Sequence, residues 1–260
     1  MSVISAPRPR LPDQLTVDFG PADLLGPAFL QLDRAARERG VYLSISTDFE
    51  ELAEVNALNL TDWYPLVPMF DPSAGGITSE NGFWISGINE RGEIVATQAA
   101  RFYLWPDTTF ADEWRNQTFI YPDPRTQTQI GERCTEDCAA AHRLTGRVCH
   151  TGALWMRSDY RNQGLASIIP RLTRAYALTR WLPDFTFGIA KKGPAVTPQV
   201  VRLLYGWRNF DGSLQWYNSP HLGDILDIAV VWMNEREVTS DLQQFMQLLG
   251  KTAQPQSMAA

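Results

Sequence analysis

A chain of 260 residues with 44% hydrophobic and 20% charged content has enough apolar surface to bury one sizeable core, or two small ones, without disulfide or metal staples. Its net charge of -6, with no Lys/Arg-rich run, excludes the basic footprint that phosphate neutralisation demands, so no nucleic-acid partner is expected. No stretch approaches the ~18 consecutive apolar residues of a membrane span, Met1 to Pro12 holds no apolar core of signal-peptide length, and three cysteines cannot pair completely; a cytoplasmic protein away from membranes is expected.

The first forty residues read as an N-terminal extension, Pro-rich at first and then helical from Pro21 to Arg39. Leu24, Leu25, Phe29, Leu30, Leu32 and Ala36 fall near one face, and Gly40 is the stop. Val41 to Ser46 has strand composition, and Thr47 or Asp48 caps a helix with Glu50 and Glu51 in its first turn. A hairpin follows: strand Phe83 to Ile88, polar turn Asn89 to Gly92, strand Glu93 to Leu104. Pro106 to Arg147 is too long for a simple connection and reads as an insertion over the core, with a short helix around Cys138. A regular pattern then begins with strand Val148 to Met156, helix Gln163 to Arg180 and strand Phe185 to Ala190. Helix Pro198 to Tyr205 has Thr197 as its cap and proline in its first turn, where a missing N–H costs nothing. Strands Ser213 to Asn218 and Leu226 to Trp232 lead to an amphipathic helix from Val238 to Leu249. The tail after Gly250 reads as disordered.

The loop Arg161-Asn162-Gln163-Gly164-Leu165-Ala166 is the most informative stretch. It leaves a strand, contains a glycine and runs into a helix with Leu165, Ile168, Ile169, Leu172 and Tyr176 at helical spacing. A first helical turn offers free N–H groups and the positive end of the dipole, so an anion such as a diphosphate can be held by backbone donors. Gly164, without a Cβ, permits close approach, and Arg161 adds charge at the rim. Alone, this is equally a glycine in an ordinary strand-to-helix turn.

Its context resembles a known family. Leu154 to Ala166 resembles the strand, turn and Arg/Gln-x-x-Gly-x-Gly/Ala signature of the GCN5-related N-acetyltransferase superfamily. Downstream, Leu204-Tyr205-Gly206-Trp207-Arg208-Asn209-Phe210 resembles that family's helix ending in Tyr followed four residues later by Gly-Phe. Asn209 stands where glycine is usual, a mild departure because asparagine tolerates left-handed geometry. Pro170 removes an N–H from the signature helix and frees the carbonyl of Ala166, so a kink or a loosened second turn is expected. The order of elements from Val41 to Trp232 fits as well.

The resemblance implies an α/β fold with a mixed, mostly antiparallel sheet of about seven strands flanked by helices. It implies residues 41–235 as the acyltransferase domain with its insertion at 106–147, and 236–260 as a C-terminal helix and tail. It further implies acetyl-CoA, or another acyl-CoA, as co-substrate. The backbone of Leu154, Trp155 and Met156 would hold the pantetheine arm, and Arg161, Asn162, Gln163, Gly164, Leu165 and Ala166 the diphosphate. The implied reaction is direct acyl transfer, with acetyl as the expected group, to the primary amine of a small molecule or peptide.

By the same resemblance Tyr205 is the acid that protonates the departing thiolate. His150 resembles a strand histidine of the arylalkylamine branch and is a candidate base, since an unperturbed imidazole titrates near neutrality; a solvent-exposed structural role at the beginning of the strand is the other reading. Trp63, Tyr64 and Trp114 occupy segments that flank the acceptor groove in this family and suggest an aromatic-walled pocket. Asn209, Pro170 and the absence of a clear carboxylate base on the signature strand keep a non-catalytic acyl-CoA-binding or partner-binding module in view, and a homodimer is compatible with the pattern.

Cys134, Cys138 and His142 recur at a spacing of four, with Cys149 nearby. If helical, they form one stripe that could offer sulfur and nitrogen to zinc. No Cys-x-x-Cys knuckle is present, isolated cysteines commonly act as small hydrophobes, and no metal is expected.

Overall fold

The computed structural model describes residues 8–194, 196–220 and 223–252. Helix α1 (Ala22–Arg37) buries Leu25, Ala28, Phe29, Leu32 and Ala36, the three-and-four spacing that puts one face on a core. Strand β1 (Tyr42–Ser46) follows. Helix α2 (Phe49–Leu58) is started by Asp48, whose carboxylate accepts from the Glu51 N–H at 3.1 Å. Strands β2 (Gly82–Ile88) and β3 (Ile94–Trp105) form the expected hairpin, its turn closed by Asn89 Oδ1 accepting from the Arg91 and Glu93 N–H groups. The insertion carries α3 (Phe110–Arg115), α4 (Pro124–Gln127) and β4 (Arg133–Asp137). Then come β5 (Gly146–Met156), α5 (Leu165–Trp181), β6 (Phe185–Lys191), α6 (Pro198–Leu203), β7 (Asn209–Ser219), β8 (Gly223–Asn234) and α7 (Glu235–Thr252).

The strands form one mixed sheet in the order β1-β2-β3-β5-β6-β8-β7-β4, antiparallel throughout except at β5 and β6. Among the described residues it has eight strands rather than about seven. The extra one is β4, which the insertion lays along β7 from Arg133↔Tyr217 to Asp137↔Ser213. A short helix around Cys138 was expected there; instead β4 ends at Asp137 and a turn follows. The insertion is also part of a core rather than a cover over one. Phe110, Trp114 and Phe119 are buried with Phe70, Trp84, Phe187 and Trp216 on the face that α2 covers. The opposite face packs Leu25, Leu32, Phe83, Leu172, Met233 and Leu242 beneath α1, α5 and α7.

Helix α5 is continuous through Pro170, which lies in its second turn. Helix α7 reaches Thr252, beyond the expected end at Leu249, and the tail from residue 253 lies outside the described residues. Among the described residues no helix is long and apolar enough to cross a membrane.

Candidate functional site

Two features of β5 set up the site. Opposite β3 the register runs Ala99↔Gly152 and then Thr97↔Trp155, so Ala153 and Leu154 together face Gln98. This is a β-bulge. Ala153 takes φ 49°, unusual for a residue with a side chain, and its carbonyl is held by Thr97 Oγ1 at 2.9 Å. On the other side, β5 pairs with β6 only from Val148↔Phe185 to His150↔Phe187, although the strands continue to Met156 and Lys191. Beyond His150 the β5 backbone therefore has no ladder partner on that side among the described residues, which suits an extended, amide-containing chain that pairs like a strand.

The strand leads through a 3-10 turn at Ser158–Tyr160 into the loop. Asn162 (φ 61°) and Gly164 (φ 84°) are both left-handed, and Gly164 is the N-cap of α5. Alternating left-handed positions at a helix N-terminus turn successive N–H groups toward one side, and those of Leu165 and Ala166 have no intrahelical carbonyl to reach. The concavity is suited to an anion with several oxygens.

Arg161 does not stand free at the rim. Its Nε donates to the Met156 carbonyl at 3.0 Å and its guanidinium pairs with Asp62, in the segment after α2. Beside this pair Trp63 stacks on Trp155, with ring centroids 5.3 Å apart and planes 10° apart. The segment after α2 is thus tied to the end of β5 at two points. A second arginine reaches the loop from the N-terminal extension: Arg39 Nε donates to the Gln163 carbonyl at 2.6 Å. Neither Asp62 nor Arg39 carries a sequence signal that marks it for this place.

Tyr205 lies just past α6, which ends two residues earlier than expected, on a turn closed by Gly206 at φ 76°. A buried charge cluster holds that turn. Arg174 donates to the Tyr205 carbonyl at 2.7 Å, and Arg171 is bidentate on Asp241 at 2.8 and 3.2 Å, with Arg174 3.7 Å from the same carboxylate. A Cβ on Gly206 would come within 2.6 Å of Asp241 Oδ2, so only glycine allows the approach. Burial raises the Tyr205 hydroxyl above the ordinary phenol range. Asn209 is not left-handed, so the tolerance of asparagine for that geometry is not called upon. It begins β7, and its side-chain amide donates to the Trp232 carbonyl at 3.1 Å and to Glu237.

His150 is not at the surface. It is 1% exposed, caged by Phe70, Phe119 and Phe187 at centroid distances of 5.1, 4.9 and 5.0 Å, and among the described residues neither ring nitrogen has a hydrogen-bond partner. Burial, with a smaller contribution from the Arg101 cation, pushes it down to about 3. A ring that holds its proton so weakly offers little driving force to a base at neutral pH, so this placement counts against the proton-relay reading. Trp114 is fully buried with Nε1 donating to the Thr135 carbonyl at 2.9 Å, and is no pocket wall. Tyr64 is 65% exposed.

The helical stripe of Cys134, Cys138 and His142 does not form, because Cys134 lies in a strand and the other two in turns. The thiols of Cys134, Cys138 and Cys149 are buried and raised by burial, and His142 pairs with Glu136 at 3.1 Å. Among the described residues no three metal-ligating side chains are gathered. A cavity of about 710 Å³ between Arg143, Arg202, Trp207, Arg208 and Trp232 includes none of the loop residues in its lining.

No family model matches the chain, and a comparison with curated proteins finds no match. Among solved structures it is similar to NAA60 of Arabidopsis thaliana in complex with acetyl-CoA, at 11% identity over 75% of this chain and 99% of that one, with a TM-score of 0.42. It is also similar to a GCN5-related N-acetyltransferase from Brucella melitensis, at 12% identity over 85% and 87% of the two chains and a TM-score of 0.46. A third is RimJ of Mycobacterium smegmatis in complex with CoA-disulfide, at 10% identity over 80% and 91%, with a TM-score of 0.43. These likenesses are loose, and the functional reading rests on the geometry of the chain itself.

Proposed function

We propose that the protein is an acyl-CoA-dependent N-acyltransferase of the GCN5-related kind, transferring an acetyl group from acetyl-CoA to a primary amine by direct attack. The observation that carries this reading is the continuity of the site. A strand that parts from its parallel neighbour after His150↔Phe187 runs directly into a doubly left-handed loop and the N-terminus of α5. An acyl-CoA has a matching order of parts: a diphosphate for the loop, then an extended arm with two amides for the unpaired edge of β5, then the thioester. Leu154, Trp155 and Met156 would serve the arm through their backbone, and Arg161 to Ala166 the diphosphate.

In the proposed reaction the amine nitrogen attacks the thioester carbonyl carbon; the C–N bond forms and the C–S bond breaks. Tyr205 gives its hydroxyl proton to the departing sulfur, and the proton released by the amine restores the tyrosine through solvent. Its raised pKa keeps the hydroxyl protonated at neutral pH, as an acid requires. His150 is given no part, for the reasons of burial above. The acceptor is an amine on a small molecule or a peptide, reached from the side that the segment after α2 covers.

The test combines two measurements. Acetyl-CoA should raise the melting temperature, and free thiol should appear when acetyl-CoA is mixed with an amine and peptide panel followed by mass spectrometry. Absence of any melting shift overturns the donor assignment. A shift without acetylation of any acceptor turns the reading to a non-catalytic acyl-CoA-binding protein.

A further inference from the structure

The donor proposed above carries a diphosphate and, in the coenzyme, a further ribose phosphate, so its loop meets several negative charges in a chain whose own net charge is -6. Three arginine side chains bear on the segment from Arg157 to Gly164. Arg157 is held between Asp159 at 2.7 Å and Glu93 at 3.0 Å. Arg161 is paired with Asp62. Both cations are compensated by carboxylates before any ligand arrives.

Arg39 differs. Its Nε donates to the Gln163 carbonyl and its Nη1 to the Ala35 carbonyl, each at 2.6 Å, both neutral acceptors. Among the described residues it makes no ion pair, and Nη2 makes no hydrogen bond. The guanidinium sits against the loop glycine: a Cβ on Gly164 would stand 3.3 Å from Arg39 Nε and 3.4 Å from Nη2. Its base is equally fixed. Ala35 and Ala36 are buried, the Val41 N–H returns to the Ala36 carbonyl at 3.1 Å, and Gly40 at φ 71° turns the chain out of the helix. An arginine oriented in advance by two carbonyls loses little further freedom on meeting an anion, and its charge-assisted hydrogen bonds are the strong kind.

We infer that Arg39, supplied by the N-terminal extension, is a phosphate ligand of the donor, the uncompensated cation that the loop itself lacks. This rests on the acyl-CoA reading above. The phosphate is either of the diphosphate or the ribose 3′-phosphate, a shared chemistry that two ligands separate.

Calorimetric titration of the full chain and of Arg39→Gln and Arg39→Lys with CoA and with 3′-dephospho-CoA is the experiment. Arg39→Gln should weaken CoA by about tenfold at low salt, Arg39→Lys by less, and the deficit should shrink toward zero in about 1 M salt, where charge is screened. An equal deficit with both ligands assigns the diphosphate, and a deficit with CoA alone assigns the 3′-phosphate. If the parent chain binds CoA and Arg39→Gln binds it as well, or if the deficit persists undiminished at high salt, the inference is overturned and the donor reading stands. If the parent chain binds no CoA, the donor reading itself has failed and takes this inference with it.

Discussion

His150→Phe separates the buried histidine from the catalytic one. In the folded chain the ring is 1% exposed, has no hydrogen-bond partner among the described residues and is pushed from 6.5 down to about 3. It therefore stays neutral in the native state while pH falls through 6.5, whereas the unfolded chain takes up a proton there. The unfolded state binding more protons, stability must fall as pH falls across that window. At pH 5 the unfolded ring lies about 1.5 pH units below its own pKa, which amounts to about 2 kcal/mol of lost stability. Phenylalanine suits the cage of Phe70, Phe119 and Phe187 and carries no proton. Urea unfolding of both proteins at pH 7.5 and pH 5 should show the variant gaining about 2 kcal/mol on the parent at the lower pH. Parallel decline of the two would refute the buried-neutral assignment. Thiol release with an accepted amine should be retained within a few-fold at neutral pH, and a loss of about a hundredfold or more would return the ring to the proton path.

The other predictions concern the loop, the acid and the charge cluster. Gly164→Glu forces a side chain into φ 84° and places a carboxylate at the diphosphate, so the melting shift with acetyl-CoA should vanish; a preserved shift would remove the loop from the donor site. Tyr205→Phe should lower kcat by about a hundredfold or more while leaving donor KM nearly unchanged, and undiminished turnover would end its role as acid. Asp241→Asn leaves Arg171 and Arg174, 7% and 1% exposed in their side chains, without their carboxylate. The expected cost is about 3–5 kcal/mol, read from urea unfolding, and a change below about 1 kcal/mol would show that the cluster is not what holds α5, α7 and the Tyr205 turn together.

Much of the site was legible along the chain because it is local. A strand, a polar loop with Gly164 and a helix with Leu165, Ile168, Ile169 and Leu172 are contiguous, and each piece has its own periodicity or turn chemistry. Their boundaries in the structure differ from the expected ones by a few residues, as fraying ends do. What went astray depended on partners distant in sequence. Cys134 and Cys138 have a helical spacing, yet the edge of β7 was available to the insertion, and ladder pairing with it made Arg133–Asp137 a strand. Asn209 was read for its tolerance of left-handed backbone, while its amide is engaged by Glu237 from α7 and the positive φ falls on Gly206 instead.

The sequence by itself determined most element types and the strand, loop and helix succession around Arg161 to Ala166, since backbone preference and hydrophobic period act over a few neighbouring residues, while Tyr205 became a candidate only through the family resemblance. Tertiary structure alone decided the charges and the accessibility. Arg161 looked like the loop's cation until Asp62 came beside it, Arg39 gave no sign until α1 delivered it to Gly164, and His150 looked like a base until three phenylalanines from other segments enclosed it. The physical reason is common to all three: pairing and desolvation are set by whatever folding brings within a few ångströms, and those neighbours lie tens of residues away along the chain.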